Sequence, residues 1–219
     1  MTTCAILTLL PAPLTALALF ALLKYKYPDG KFGLVYKSFI LGALGIIAVY
    51  AFDKLIVHLH LDSLHSWNRT FFYAFILTGG FYELWKLLVL RIFIYPSNLV
   101  VKPIDVIIYS VFTGAGFTSL YAVYSLYYGS AYVDTCLFAI TLTPAFISLA
   151  IIMGYFAGMA KTRQNRVVDL TTGLFIAMIF HGIYRFCLLT CDEPLMYISL
   201  SGMVLIALTF MWFAVRRAE

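Results

Sequence analysis

Four ionisable side chains stand inside otherwise apolar stretches: Glu83, Lys86, His181 and Arg185. Glu83 and Lys86 are three residues apart, and His181 and Arg185 are four apart, so on helices each pair shares a face. A carboxylate near an imidazole can move a proton. Glu83 would act as general base or metal ligand, and His181 as ligand or acid/base partner. The same residues also fit a structural role, with Glu83 paired to Lys86 or Arg185 and His181 hydrogen-bonded to a carbonyl. Residue type alone leaves both readings open.

A second polar group is His58, His60, Asp62 and His65. His58, Asp62 and His65 fall at i, i+4 and i+7, one face of a helix, and such a face can bind a metal. The group follows an apolar stretch directly, which reads first as a wet helix end. Asp53 and Lys54 are adjacent and cannot face each other on a helix, so each finds a partner elsewhere or reaches towards the interface. The cysteines are Cys4, Cys136, Cys187 and Cys191, a scatter that fits no zinc motif. Cys136 and Cys191 could pair if their Cα atoms lie within ~7 Å. Cys187 and Cys191, one turn apart, aim their sulfurs poorly.

Composition identifies the elements that must position these groups. Of 219 residues, 63% are hydrophobic and 11% charged, and mean hydropathy is +0.95. Soluble domains are about 45–50% apolar and ~25% charged. A soluble enzyme, a disordered tail and a nucleic-acid-binding module are therefore excluded, and the solvent is lipid. Seven stretches are long enough to cross it: Ile6–Leu23, Phe39–Val57, Phe71–Ile94, Ile104–Tyr128, Cys136–Ala160, Leu170–Cys191 and Leu195–Val215. Pro11 and Pro13 predict a kink in the first. The fold class is all-α, a polytopic membrane helix bundle of about seven transmembrane helices forming a single integral-membrane domain over residues 1–219.

Eleven of the fifteen Lys and Arg residues fall in one alternating set of connections, and only Arg69 falls in the other. The positive-inside rule then puts the N-terminus outside and the C-terminus in the cytoplasm. The same asymmetry explains the net charge of +5 without a nucleic-acid partner. Gly79-Gly80 and Gly114-Ala115-Gly116 predict close helix approach. The latter is no phosphate loop, since no strand precedes it. On this topology Glu83 and His181 both fall near mid-membrane. If the third and sixth spans touch, Glu83, Lys86, His181 and Arg185 gather into one buried cluster.

Tyr82-Glu83-Leu84-Trp85-Lys86, then Pro103-Ile104-Asp105 with Ile108-Tyr109, then Gly114-Ala115-Gly116-Phe117 resemble the PrsW-type intramembrane proteases. The family pattern is Glu-Glu-x-x-Lys on one span, Asp-x-x-x-Tyr leading into Gly-x-Gly-Phe-x-x-x-Glu-Asn on the next, and a histidine on a later span. His181, in Phe180-His181-Gly182-Ile183-Tyr184, is placed like that histidine. The resemblance implies a bacterial inner-membrane protein acting on a membrane-anchored substrate, with Glu83, His181, Lys86 and Arg185 as the site. Tyr82 stands in place of the first glutamate, and Tyr121 and Ala122 in place of Glu-Asn. One carboxylate and one histidine fall short of a three-ligand zinc site, so the residues leave any metal cofactor without a full ligand set. Two expectations follow: a protease with an altered site, or a non-catalytic bundle that holds a membrane-protein or peptide partner. A proton-relaying transporter is a weaker third. The sequence leaves the oligomeric state open.

Overall fold

The computed structural model describes residues 2–64, 66–128, 136–163 and 165–217. Among these residues there is no strand, and seven helices are long and apolar enough to cross a membrane: α1 (Thr3–Lys26), α2 (Gly33–His58), α3 (Trp67–Ile94), α4 (Pro103–Tyr128), α5 (Leu137–Thr162), α6 (Arg166–Thr190) and α7 (Glu193–Arg216). Each coincides with an expected span. Several run further because an aliphatic stem lets Lys or Arg extend a helix beyond the hydrocarbon.

Local sequence sets the helix ends. The Asp192 side chain accepts the Leu195 amide at 3.0 Å ahead of α7, with a proline in the first turn. Ser66 does the same for Arg69 at α3. These side chains take up amides that a helix start leaves unpaired. Asp105 accepts the amides of Val101 and Lys102 at 2.9 and 2.8 Å, tying the preceding loop to α4. Pro11 interrupts α1 as expected: helical segments Thr2–Leu9 and Pro11–Lys26 flank Leu10. α3 departs from the simple expectation. Its backbone is π-helical over Tyr73–Gly80 and again over Leu90–Ile94. Each i→i+5 stretch changes which face the following turn presents.

α4 and α5 form the centre of the bundle. α4 packs on α2 and α5; α5 packs on α6 and α7; α3 packs on α6. α1, α2 and α7 expose Leu14, Leu17, Ile47, Leu205 and Leu208 outward, as lipid-facing helices do. Small residues let the inner pairs close. A Cβ on Gly42 would lie 2.0 Å from the Thr113 carbonyl oxygen, and one on Gly116 would lie 2.0 Å from that of Phe39. α2 and α4 thus cross backbone to backbone. At the α3–α6 crossing, a Cβ on Gly182 would overlap the Phe75 ring and one on Gly79 would crowd the Gly182 amide. The close approach expected of the glycine pairs is present at Gly79, Gly114 and Gly116, while Gly80 has more room.

One expectation is corrected and one alternative is decided. Cys191 is a free thiol, as is Cys187, so no Cys136–Cys191 disulfide forms. Cys191 caps α6 in the left-handed conformation, its amide bonded to the Cys187 carbonyl. Cys4 instead is disulfide-bonded; the side chain of Cys136 lies outside the described residues. The histidine group is a wet helix end, as it reads first in the sequence, and its alternative as a helical face does not form through His58 and Asp62, because α2 ends at His58 and His60 turns to positive φ. His58, His60 and Asp62 are exposed, and His65 lies outside the described residues.

Candidate functional site

The contact between α3 and α6 brings Glu83 and His181 together across 98 residues of sequence. Glu83 Oε1 lies 2.7 Å from His181 Nδ1 and 2.5 Å from Lys86 Nζ. All three are cut off from the surface: relative exposure is 0% for Glu83 and 2% for each partner. Charge-assisted hydrogen bonds to one oxygen are what permit a carboxylate to stay in such a place. Glu83 Oε2 has no hydrogen-bond partner among the described residues.

Aromatic rings wall the cluster. Lys86 Nζ is 4.9 Å from the centre of the Phe146 ring and 5.5 Å from that of Phe117, so its charge is also met by ring faces. The His181 ring stands edge-on to Phe146 at 5.0 Å and to Tyr82 at 5.6 Å. Tyr82 meets Tyr121 edge-on, also at 5.6 Å. Tyr82 and Tyr121 are therefore neighbours, with Tyr82 beside the histidine.

Arg185, 8% exposed, belongs to a second node. Its Nη1 donates to the Tyr121 hydroxyl at 3.4 Å, and it stands within electrostatic reach of Asp53. Tyr124 donates to Asp53 Oδ2 at 2.7 Å, and Tyr82 faces the same carboxylate. The four expected site residues thus divide: Glu83, Lys86 and His181 share one oxygen, and Arg185 bonds to a tyrosine between that centre and Asp53. Asp53 was visible in the sequence only as a charge in need of a partner. Its link to Tyr124 spans 71 residues and has no local signature.

Comparison with known proteins places this geometry. The PrsW family intramembrane metalloprotease profile matches residues 30–215. The chain belongs to the PrsW family. It is 28% identical to "Protease PrsW" of Shouchella clausii over 92% of this chain and 91% of that protein. Against the protein of the same name from Halalkalibacterium halodurans it is 30% identical, over 98% and 96%. Against that of Bacillus subtilis it is 28% identical, over 95% and 91%. No solved structure matches the chain. With seven membrane-crossing helices and bacterial relatives, the family places the protein as an integral bacterial membrane protein.

The family description implies a metal, and the donor set here does not fit one. Zinc takes three or four protein ligands in most sites. No group of three His, Cys, Asp or Glu side chains lies together among the described residues. The one carboxylate at the centre already carries a lysine ammonium at 2.5 Å on Oε1.

Proposed function

We propose that this PrsW-family protein binds a membrane-anchored polypeptide partner within or against its helix bundle and does not cleave it. The observation that supports this reading most is the closed Glu83–Lys86–His181 cluster. A general base must reach the water or proton that it activates. Here Glu83 Oε1 is occupied by two donors, and the whole carboxylate is cut off from the surface beneath aromatic rings. Tyr82 and Tyr121 stand where the family carries carboxylates, and a phenol stays neutral near pH 7 unless strongly activated. A fold can be inherited without its chemistry.

A glutamate/histidine-dependent protease is the second reading. It is favoured by Glu83 Oε2, buried and without a hydrogen-bond partner among the described residues, because an open acceptor beside an imidazole can orient a water. The Glu83→Gln variant separates the two. Membrane proteomes of cells lacking the gene, complemented with wild type or with Glu83→Gln at equal abundance, should match for every single-span protein, with the partner captured intact by both. An intact membrane protein that accumulates only with Glu83→Gln would establish cleavage and reject our reading.

The basic residues further support a topology with the N-terminus outside and the C-terminus in the cytoplasm. A cysteine introduced beside Arg163 should resist a membrane-impermeant maleimide added to intact cells. Labelling from outside would invert the topology.

A further inference from the structure

α1 and α2 both pack on α4, but their facing surfaces leave an apolar groove of about 400 Å³. Ala16 and Phe20 form one wall, Tyr36 and Phe39 the other, and Phe112 of α4 the floor. Towards the lysine-bearing end the groove adjoins a second cavity of about 190 Å³, with Val35 lining both. The second cavity is still largely apolar, with Leu23, Phe32 and Ile108 in its lining, but Lys31 and Asp105 bring charge to it. Phe20, edge-on to Phe32 at 5.3 Å and tilted against Tyr36 at 5.2 Å, marks the junction.

The charge around this junction is predominantly basic, with Asp29 and Asp105 the acids near it. Lys24, Lys26, Lys31 and Lys37 are all exposed there, and none forms an ion pair among the described residues. Lys26 lies over the Tyr27 ring and Lys37 over that of Phe93. The one acid in the cavity, Asp105, already accepts two backbone amides through Oδ2. From Pro13 to Tyr27 the helix rises about 21 Å at ~1.5 Å per residue. That exceeds one leaflet of a hydrocarbon core ~30 Å thick, so the two cavities together reach from mid-membrane to the headgroups. A helix ~10–12 Å across with its side chains would fill far more than about 400 Å³ over this length, whereas an extended hydrocarbon chain needs much less room.

We propose that these two cavities form a site for one anionic phospholipid. An acyl chain lies against Phe39 and Phe112, and the phosphate sits at Lys31, the lysine that lines the second cavity, with Lys24 and Lys26 exposed on the adjoining end of α1. Basic clusters beside a membrane attract anionic lipid, and the groove would add a place for the tail. This inference is independent of whether the protein cleaves its partner.

Native mass spectrometry of the delipidated full chain in neutral detergent tests it, using phosphatidylglycerol and phosphatidylcholine as probes. One phosphatidylglycerol should bind at least tenfold more tightly than phosphatidylcholine. Lys31→Glu should remove that preference. Arg216→Glu, at the same end of the bundle but on α7, should keep it. Ile40→Trp, on the groove wall at a residue 56% exposed, should abolish the one-lipid complex with all lysines in place. If Ile40→Trp unfolds in phosphatidylcholine, Leu17→Trp on the facing wall replaces it. Equal binding of the two lipids would overturn the site, as would equal losses in Lys31→Glu and Arg216→Glu. A dimer that Ile40→Trp dissolves, with no lipid preference, would assign the groove to a second copy of the chain and also overturn it.

Discussion

Two carboxylates enter the membrane in this protein, and their surroundings differ in kind. Glu83 on α3 is met by two nitrogen donors on one oxygen, inside a shell of aromatic rings. Asp53 on α2 is met by phenols, with Tyr124 at 2.7 Å. Tyr82 connects them, adjacent to Glu83 in sequence, edge-on to His181 and facing Asp53. A charge deep in the bundle thus relies on opposite charge. A charge one turn from the end of its span relies on direct hydrogen bonds from neutral hydroxyls, with the Arg185 guanidinium only within longer electrostatic reach. Removing a partner is costly where it strands a charge and cheap where a neutral group can re-pair.

That contrast predicts a ranking. Glu83→Ala should produce the largest loss, since it leaves the Lys86 ammonium buried among rings. The cost is ~3–5 kcal/mol for a buried pair in soluble proteins, with a smaller value expected in lipid. Thermal unfolding in detergent measures it, and a variant as stable as wild type would remove the distinction between the two nodes. Adding Lys86→Met to Glu83→Gln should recover most of the stability. No recovery would show that the carboxylate has a role beyond its lysine.

His181→Phe should be intermediate, about 1–3 kcal/mol by the range for a lost buried partner, because Lys86 remains on Glu83. A double-mutant cycle with Glu83→Gln should return a coupling of ~0.5–3 kcal/mol. Additive losses would mean that the 2.7 Å contact contributes little. Tyr124→Phe should be the smallest, about 0.6 kcal/mol on the average for hydrogen bonds between membrane helices. If Tyr124→Phe costs more than His181→Phe, the ranking is reversed and Asp53 is the more demanding group.

The spans were legible because hydrocarbon thickness imposes about twenty apolar residues on each. The Glu83–Lys86 pair was legible because a helix places i and i+3 together. Its junction with His181 required the α3–α6 crossing, which the sequence signalled only through Gly79 and the glycine beside His181. Arg185 illustrates the limit. Position i+4 placed it on the His181 face correctly, yet one turn of rise carried it to Tyr121. Asp53 and Tyr124 had no signal, since nothing local specifies which helix an intramembrane acid will face. The end of α2 at His58 was legible, because the apolar stretch stops at Val57 and the histidine group after it reads as a wet helix end.

The π-helical stretch Tyr73–Gly80 ends one residue before the turn that carries Glu83. An α-helix advances about 100° per residue, from its ~3.6 residues per turn. The wide turns therefore set the phase of everything that follows, and α3 resembles a key whose bit is cut after a twist in the shank. Deleting Phe75 should let the stretch wind as ordinary α-helix with Glu83 still facing His181, because the wide turns hold about one extra residue, whereas one alanine inserted between Gly80 and Phe81 should turn Glu83 about 100° away. A cysteine at Leu84, 40% exposed in the native register, would report that rotation as lost access to a lipid-phase thiol probe. Unchanged access would show that the crossing with α6 holds the register by itself. The length of this segment, and not only its composition, then decides whether the family's buried centre can assemble.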